Sequence, residues 1–92
     1  MKKFREVSKL TTEFLNGTLI LMDFQYENDI EVIVTITYED EHNDKNDYRL
    51  RIIGMTSVNF LSHHGRDAYS NITLRREVLF EDALMSYLAK EK

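Results

Sequence analysis

Hydrophobic and polar residues alternate with a period of two through the middle of the chain, most clearly from Ile30 to Tyr38. The even positions of that stretch hold β-branched or aromatic residues, namely Ile30, Val32, Val34, Ile36 and Tyr38. Such alternation is typical of a strand with one buried face. We interpret this stretch as the central strand of an antiparallel sheet.

Four further segments are predicted to be extended. Thr18 to Glu27 and Tyr48 to Ile53 alternate in the same way, and Met55 to Leu61 continues after a sharp bend or bulge at Gly54. Asn71 to Leu79 also alternates and is predicted as a further strand. The expected sheet is therefore a meander of four to five antiparallel strands.

The spacing changes near the C-terminus. Between Phe80 and Glu91 the apolar residues recur every three or four positions, which predicts a helix. A helix this short is marginal alone, so we expect it to pack on the even-numbered face of the sheet. For Met1 to Lys9 the sequence allows two interpretations, a short helix or a frayed arm. Thr11 to Leu15 is predicted as an edge strand or a connector. The predicted fold class is α+β: an antiparallel β-meander with a C-terminal helix packed on one face.

The same alternation suggests how the strands pair. A three-residue turn at 27–29 would set Tyr26 opposite Ile30, with Asn28 or Asp29 in the left-handed region. Pairing of Tyr48 with Tyr38 would then place Ile33 opposite Ile53. Both registers keep the even-numbered apolar faces together.

Two polar segments are predicted as exposed loops. Glu39 to Asp47 contains no apolar residue and carries the acids Asp40, Glu41 and Asp44. Ser62 to Asn71 contains the pair His63-His64. Neither segment has the ligand spacing of a calcium or zinc site, so we expect no metal.

Aliphatic residues also occupy the odd-numbered face, which a solvated face would not require. Leu19, Leu21, Ile33 and Ile53 fall there by parity, flanked by Arg49 and Arg51. Three explanations remain open. The N-terminal segment could cover these residues, the sheet could curl into a small barrel, or the patch could contact a partner or a second copy.

Composition limits the classes of function. The chain has 92 residues, which predicts one domain over 1–92, and its net charge of −4 argues against general nucleic-acid binding. It has no cysteine, and no apolar run follows the basic start, so we expect no signal peptide and a soluble cytoplasmic protein. With no thiol, nucleophile elbow or glycine-rich phosphate loop, we expect no enzyme and no cofactor.

These observations favour a small acidic protein-interaction module of the antagonist, immunity or adaptor type. It would bind a macromolecular partner through the odd-numbered sheet face, an exposed strand edge or the acidic loop. One alternative is a sheet that binds a small ligand or single-stranded nucleic acid. That sheet would use Tyr48, Tyr69 and a stripe formed by Arg49, Arg51, Arg66, Arg75 and Arg76. The other alternative is a subunit that completes its core as a homodimer.

Overall fold

The computed structural model describes residues 2–66 and 68–90. Two helices flank four strands along the chain. In order they are α1 (Lys2–Leu15), β1 (Thr18–Tyr26), β2 (Glu31–Glu39), β3 (Lys45–Ile53), β4 (Ser57–His64) and α2 (Asn71–Lys90). The predicted helix end at Glu91 lies outside the described residues.

The four strands form one antiparallel sheet in the order β1-β2-β3-β4. This confirms the predicted α+β meander with a C-terminal helix. Both helices contribute to one core cluster with the even-numbered face of β2 and β3, through residues such as Val7, Phe80 and Leu84. The hydrophobic core therefore lies between that face and the two helices. Neither described helix has an apolar stretch long enough to cross a membrane.

The predicted register between β1 and β2 was wrong by two residues. Tyr26 pairs with Val32 rather than with Ile30, because five residues (27–31) separate the paired ends and the Glu27 N–H donates to the Glu31 carbonyl at 2.9 Å. The Asn28 side chain accepts the backbone N–H groups of Ile30 and Glu31, each at 3.0 Å, and closes this longer turn. Neither Asn28 nor Asp29 adopts a positive φ. The faces still match because a shift of two keeps every side chain on its side.

The register between β2 and β3 differs from the prediction by the same amount. Tyr48 pairs with Ile36, and Ile33 lies opposite Arg51 instead of Ile53. The turn is shorter than predicted, since it spans 40–44 and β3 already begins at Lys45. The tight turn at Gly54 was predicted correctly, with φ of 60° at that glycine.

A bulge in β1 corrects the assignment of Leu19. Leu19 pairs with Tyr38 and Leu21 with Thr37, so one extra residue, Ile20, lies between them. The bulge reverses the parity of everything before it. Leu19 therefore enters the core and is buried, whereas Leu21 stays on the odd-numbered face and is 65% exposed.

The N-terminal segment is a single helix that includes the predicted edge strand at 11–15. It buries Val7, Thr11 and Leu15 on the even-numbered side of the sheet. Helix α1 therefore does not cover the odd-numbered face, and the first of the three explanations was wrong. The sheet also has two open edges, β1 and β4, so it does not close into a barrel.

The predicted strand at 71–79 was wrong, because α2 begins at Asn71. Ser70 caps the helix: its hydroxyl accepts the N–H of Thr73 at 3.0 Å and donates to the Thr73 hydroxyl at 2.7 Å. Apolar residues at 72, 74 and 78 imitate a strand pattern. The buried positions instead follow the helical period from Thr73 and Glu77 to Phe80.

Candidate functional site

A buried polar cluster joins the end of β4 to α2. His63 lies at the end of β4, and a bulge at Leu61 turns it onto the core face opposite Tyr48. A hydrogen bond joins its Nδ1 to Oε1 of Glu77, and its Nε2 lies 3.2 Å from the hydroxyl of Tyr38. His63 is 1% exposed and Glu77 is 4% exposed. His63 is thus buried, not in the predicted exposed loop.

A second pair extends the cluster toward the surface. The buried hydroxyl of Tyr48 donates to Oε1 of Glu81 at 2.6 Å, and the Tyr48 ring lies against the imidazole of His63 with centroids 4.9 Å apart. Burial raises the pKa of Tyr48, and the hydrogen bond to Glu81 raises it further. Burial likewise raises the pKa of Glu81, with the charges of Glu77 and Asp82 adding to the rise and the Tyr48 hydroxyl opposing it.

This raised pKa makes a testable contribution to stability. The folded state favours protonated Glu81, so above the folded-state pKa the charged carboxylate costs free energy, and below the ordinary value of 4.5 the cost vanishes. Glu81→Gln should therefore stabilise the protein at pH 7, by less than about 1 kcal/mol because the group is half-buried. Thermal unfolding at pH 7 and pH 4 checks this: the gain should shrink at pH 4. A gain that grows on acidification would contradict it.

The cluster's geometry is that of a structural connection. Tyr38, Tyr48 and Glu77 surround the imidazole, and its burial keeps it from reacting with a molecule in solution. Buried polar groups with satisfied hydrogen bonds rigidify the region that they join. Within residues 2–66 and 68–90, no three His, Asp or Glu side chains are grouped so as to hold a metal ion.

The acidic segment is a turn held by internal hydrogen bonds and is shorter than the predicted exposed loop. Asp40 is buried: its Oδ1 accepts the N–H groups of His42 and Asp44 at 2.9 and 3.0 Å, and its Oδ2 accepts the amide of Asn46 at 2.8 Å. Asn46 is fully buried, and a Cβ at Gly65 would collide with its side chain. Burial pushes the pKa of Asp40 up, but the hydrogen bonds outweigh burial and hold it below the ordinary value.

The other two acids of this turn, Glu41 and Asp44, contact the neighbouring elements. Glu41 accepts a hydrogen bond from Asn16 at 2.8 Å and lies 3.4 Å from Arg76 of α2. Asp44 lies 3.3 Å from Arg66. These contacts attach the turn to the body of the protein and offset part of its charge.

The odd-numbered sheet face does not gather the predicted aliphatic patch. Ile33 is buried between its cross-strand neighbours Gln25 and Arg51, and Arg51 forms an ion pair with Glu31 at 2.7 Å. Ile53 is half-buried at the end of β3. Since Leu19 lies in the core, Leu21 remains as the widely exposed member of the predicted set. Arg49 is exposed on the same face.

The residues of the alternative nucleic-acid surface are also separated. Tyr48 is 1% exposed and cannot stack on a base. Arg49 and Arg51 lie on the odd-numbered face, whereas Arg75 and Arg76 lie on α2, which packs on the opposite face. The described structure therefore does not unite the arginines in one stripe.

The structure reveals an apolar surface that sequence reasoning missed. Over residues 71–79 of α2 the buried side chains are Thr73 and Glu77, while the large apolar side chains point to solvent. Phe60, Tyr69, Leu74 and Val78 line one cleft between β4, the connecting loop and α2, and form what we call the β4–α2 surface. Ile72 and Leu79 are also exposed, on the other flank of α2. Each is between 43% and 75% exposed. A signal that this segment is helical was available in Ser70, a residue type favoured at helix N-caps.

Comparison of the chain with protein-family models, with curated proteins and with solved structures gives no match in any of the three.

Proposed function

We propose that this protein is a small acidic, non-enzymatic interaction module that binds a protein partner through the β4–α2 surface. Among the three contact surfaces expected from the sequence, the proposal selects the exposed strand edge, here β4, and adds the neighbouring face of α2. The antagonist, immunity and adaptor classes all fit such a module.

The reversed polarity of residues 71–79 of α2 carries the proposal. A helix on a protein surface ordinarily turns its apolar stripe inward and its polar face to water. Here a carboxylate is buried on His63, and Ile72, Val78 and Leu79 are each more than half exposed. Contiguous exposed apolar patches mark interaction sites, because their hydration is unfavourable until a partner covers them.

The other two surfaces offer less for a partner to bury. On the odd-numbered face, Ile33 is already covered and the charged side chains of Arg51 and Glu31 are paired. In the acidic turn, Asp40 is used internally. The net charge of −4 favours a basic partner over nucleic acid, and the lack of cysteine favours a reducing, cytoplasmic location.

Two matched lysine substitutions test this proposal. Val78→Lys and Leu21→Lys each charge one exposed aliphatic position, the first on the β4–α2 surface and the second on the odd-numbered sheet face. Both should leave the melting temperature nearly unchanged, because exposed positions tolerate such changes. Captured from a lysate of the source cells, a specific partner should be retained by the wild type and Leu21→Lys. Its retention by Val78→Lys should fall at least about tenfold.

Quantitative mass spectrometry of the retained proteins provides the measurement. If Val78→Lys retains the same proteins in the same amounts as the wild type, the β4–α2 surface is not the binding surface. If only Leu21→Lys fails to retain the partner, the partner binds the odd-numbered sheet face instead.

A further inference from the structure

A cleft opens between β4 and α2, at the edge of the sheet. Its volume is about 280 Å³. The walls are mostly apolar and the carboxylates belong to α2; the lining includes Phe60, Tyr69, Leu74, Val78, Glu77 and Glu81. The cleft therefore combines an apolar lining with two acidic groups.

The strand beside this cleft, β4, is an edge strand that carries no proline and, with its histidines neutral, no charged residue. Edge strands present unpaired N–H and C=O groups, and proteins usually guard them with charged residues, proline or a cover. The sequence of β4, Ser57 to His64, contains no Lys, Arg, Asp, Glu or Pro. The bulge at Leu61 leaves 57–60 as its regular part.

The opposite edge of the sheet is guarded. Asp23 lies in the middle of β1, and Lys3 of α1 donates to the Tyr26 hydroxyl at 2.7 Å. The Lys3 ammonium also lies 5.3 Å from the centre of the Phe24 ring. The contrast makes β4 the edge at which another strand would add.

The charges around the cleft select the side chain that would enter it. Glu77 and Glu81 both belong to α2 and line the cleft, where Glu77 is hydrogen-bonded to His63 and Glu81 to the Tyr48 hydroxyl. The nearby arginines Arg66 and Arg76 lie against Asp44 and Glu41 instead. A lysine or arginine side chain fits this arrangement: its methylenes would pack on the apolar walls while its charged end approaches the carboxylates.

We propose that the partner adds an extended basic segment to β4 as a fifth strand and inserts one Lys or Arg side chain into the cleft between β4 and α2. This inference rests on the proposed function and specifies the chemistry of the partner. Backbone hydrogen bonds along 57–60 would provide affinity, and the inserted cation would provide specificity.

Selection of displayed random eight-residue peptides on the immobilised full chain tests the inference. Selected peptides should share one Lys or Arg flanked by alternating β-branched or aromatic residues. A synthetic peptide of that sequence should bind Glu81→Gln at least tenfold more weakly than the wild type. Asp82→Asn, one residue away and exposed, should bind it as the wild type does. Bound peptide should also slow amide hydrogen exchange in β4 and leave β1 unchanged.

Other outcomes would overturn the inference. The inserted Lys or Arg would be refuted if no peptide is selected, if the selected peptides share no basic position, or if the peptide binds Glu81→Gln as tightly as the wild type. If bound peptide leaves amide hydrogen exchange in β4 unchanged, the peptide does not add to β4 as a strand. A concentration-dependent dimer abolished by Val78→Lys would make a second copy the occupant. If these results occur while Val78→Lys still abolishes partner capture, the β4–α2 surface remains the interface and only the binding mode is wrong.

Discussion

Replacing His63 with leucine is expected to lower the free energy of unfolding by about 3–5 kcal/mol, as for other buried pairs from which one partner is removed. Glu77 would be left inside the protein without its hydrogen-bond donor, and the Tyr38 hydroxyl would lose its contact with Nε2. His64→Leu is the matched control, because His64 is exposed and should change stability by no more than about 0.5 kcal/mol.

The double variant His63→Leu/Glu77→Leu measures how strongly the two side chains are coupled. With both polar groups gone, no buried charge is left unpaired, so most of the lost stability should return. Urea unfolding followed by circular dichroism of the wild type, His63→Leu, Glu77→Leu and the double variant gives the four free energies of this cycle. Losses that simply add would show that His63 and Glu77 act independently, contrary to the geometry.

Asp40→Ala is expected to cost about 2–4 kcal/mol, because hydrogen bonds to a charged acceptor are worth more than neutral ones. The substitution removes the acceptor of three donors and leaves the fully buried amide of Asn46 without Oδ2. Glu41→Ala, the adjacent exposed acid, should cost less than about 1 kcal/mol. Urea unfolding at pH 7 measures both, and equal costs would refute a special role for Asp40.

The Asp40 contribution should depend on pH in a defined direction. Its pKa is lowered by folding, so the stabilisation is complete above the ordinary value of 3.8 and is lost as the pH falls through the lowered value. The difference between wild type and Asp40→Ala should therefore shrink only in strong acid. A difference that disappears between pH 7 and pH 5 would contradict this assignment.

The alternation of residues predicted the sheet well because parity is a local property. Each strand's apolar face follows from its own sequence, and the even-numbered face of β2 is the core face as expected. Parity cannot distinguish strand registers that differ by two residues, and both observed registers differ from the predicted ones by two residues. The turns decide the register, through the side chains of Asn28 and Asp40, whose hydrogen-bond partners no periodic pattern reveals.

Bulges place Leu19 and His63 on the core face; His63 was also missed because β4 continues to His64, whereas a loop was predicted from Ser62. One extra residue in β1 moves Leu19 into the core, and one in β4 moves His63 there. A single inserted residue leaves no clear mark in a run of hydrophobic side chains such as Leu19 to Met22. Glu77 was missed for a related reason, since its burial depends on His63, fourteen residues away.

The β4–α2 surface could be found only once α2 was known to be helical from Asn71. Interpreted as a strand, 71–79 turns Ile72, Leu74 and Val78 inward together. Interpreted as a helix capped by Ser70, the same residues point to solvent. The segment whose secondary structure was wrong is therefore the segment proposed to carry the function.

Photo-crosslinking in the source cells tests the central claim most directly. A benzophenone amino acid placed at position 78 samples the β4–α2 surface, and the same amino acid at position 21 samples the odd-numbered sheet face. We expect a discrete adduct with another protein from position 78 and none from position 21. Adducts from position 21 alone, or none from either position, would contradict the assignment of this surface as the partner-binding site.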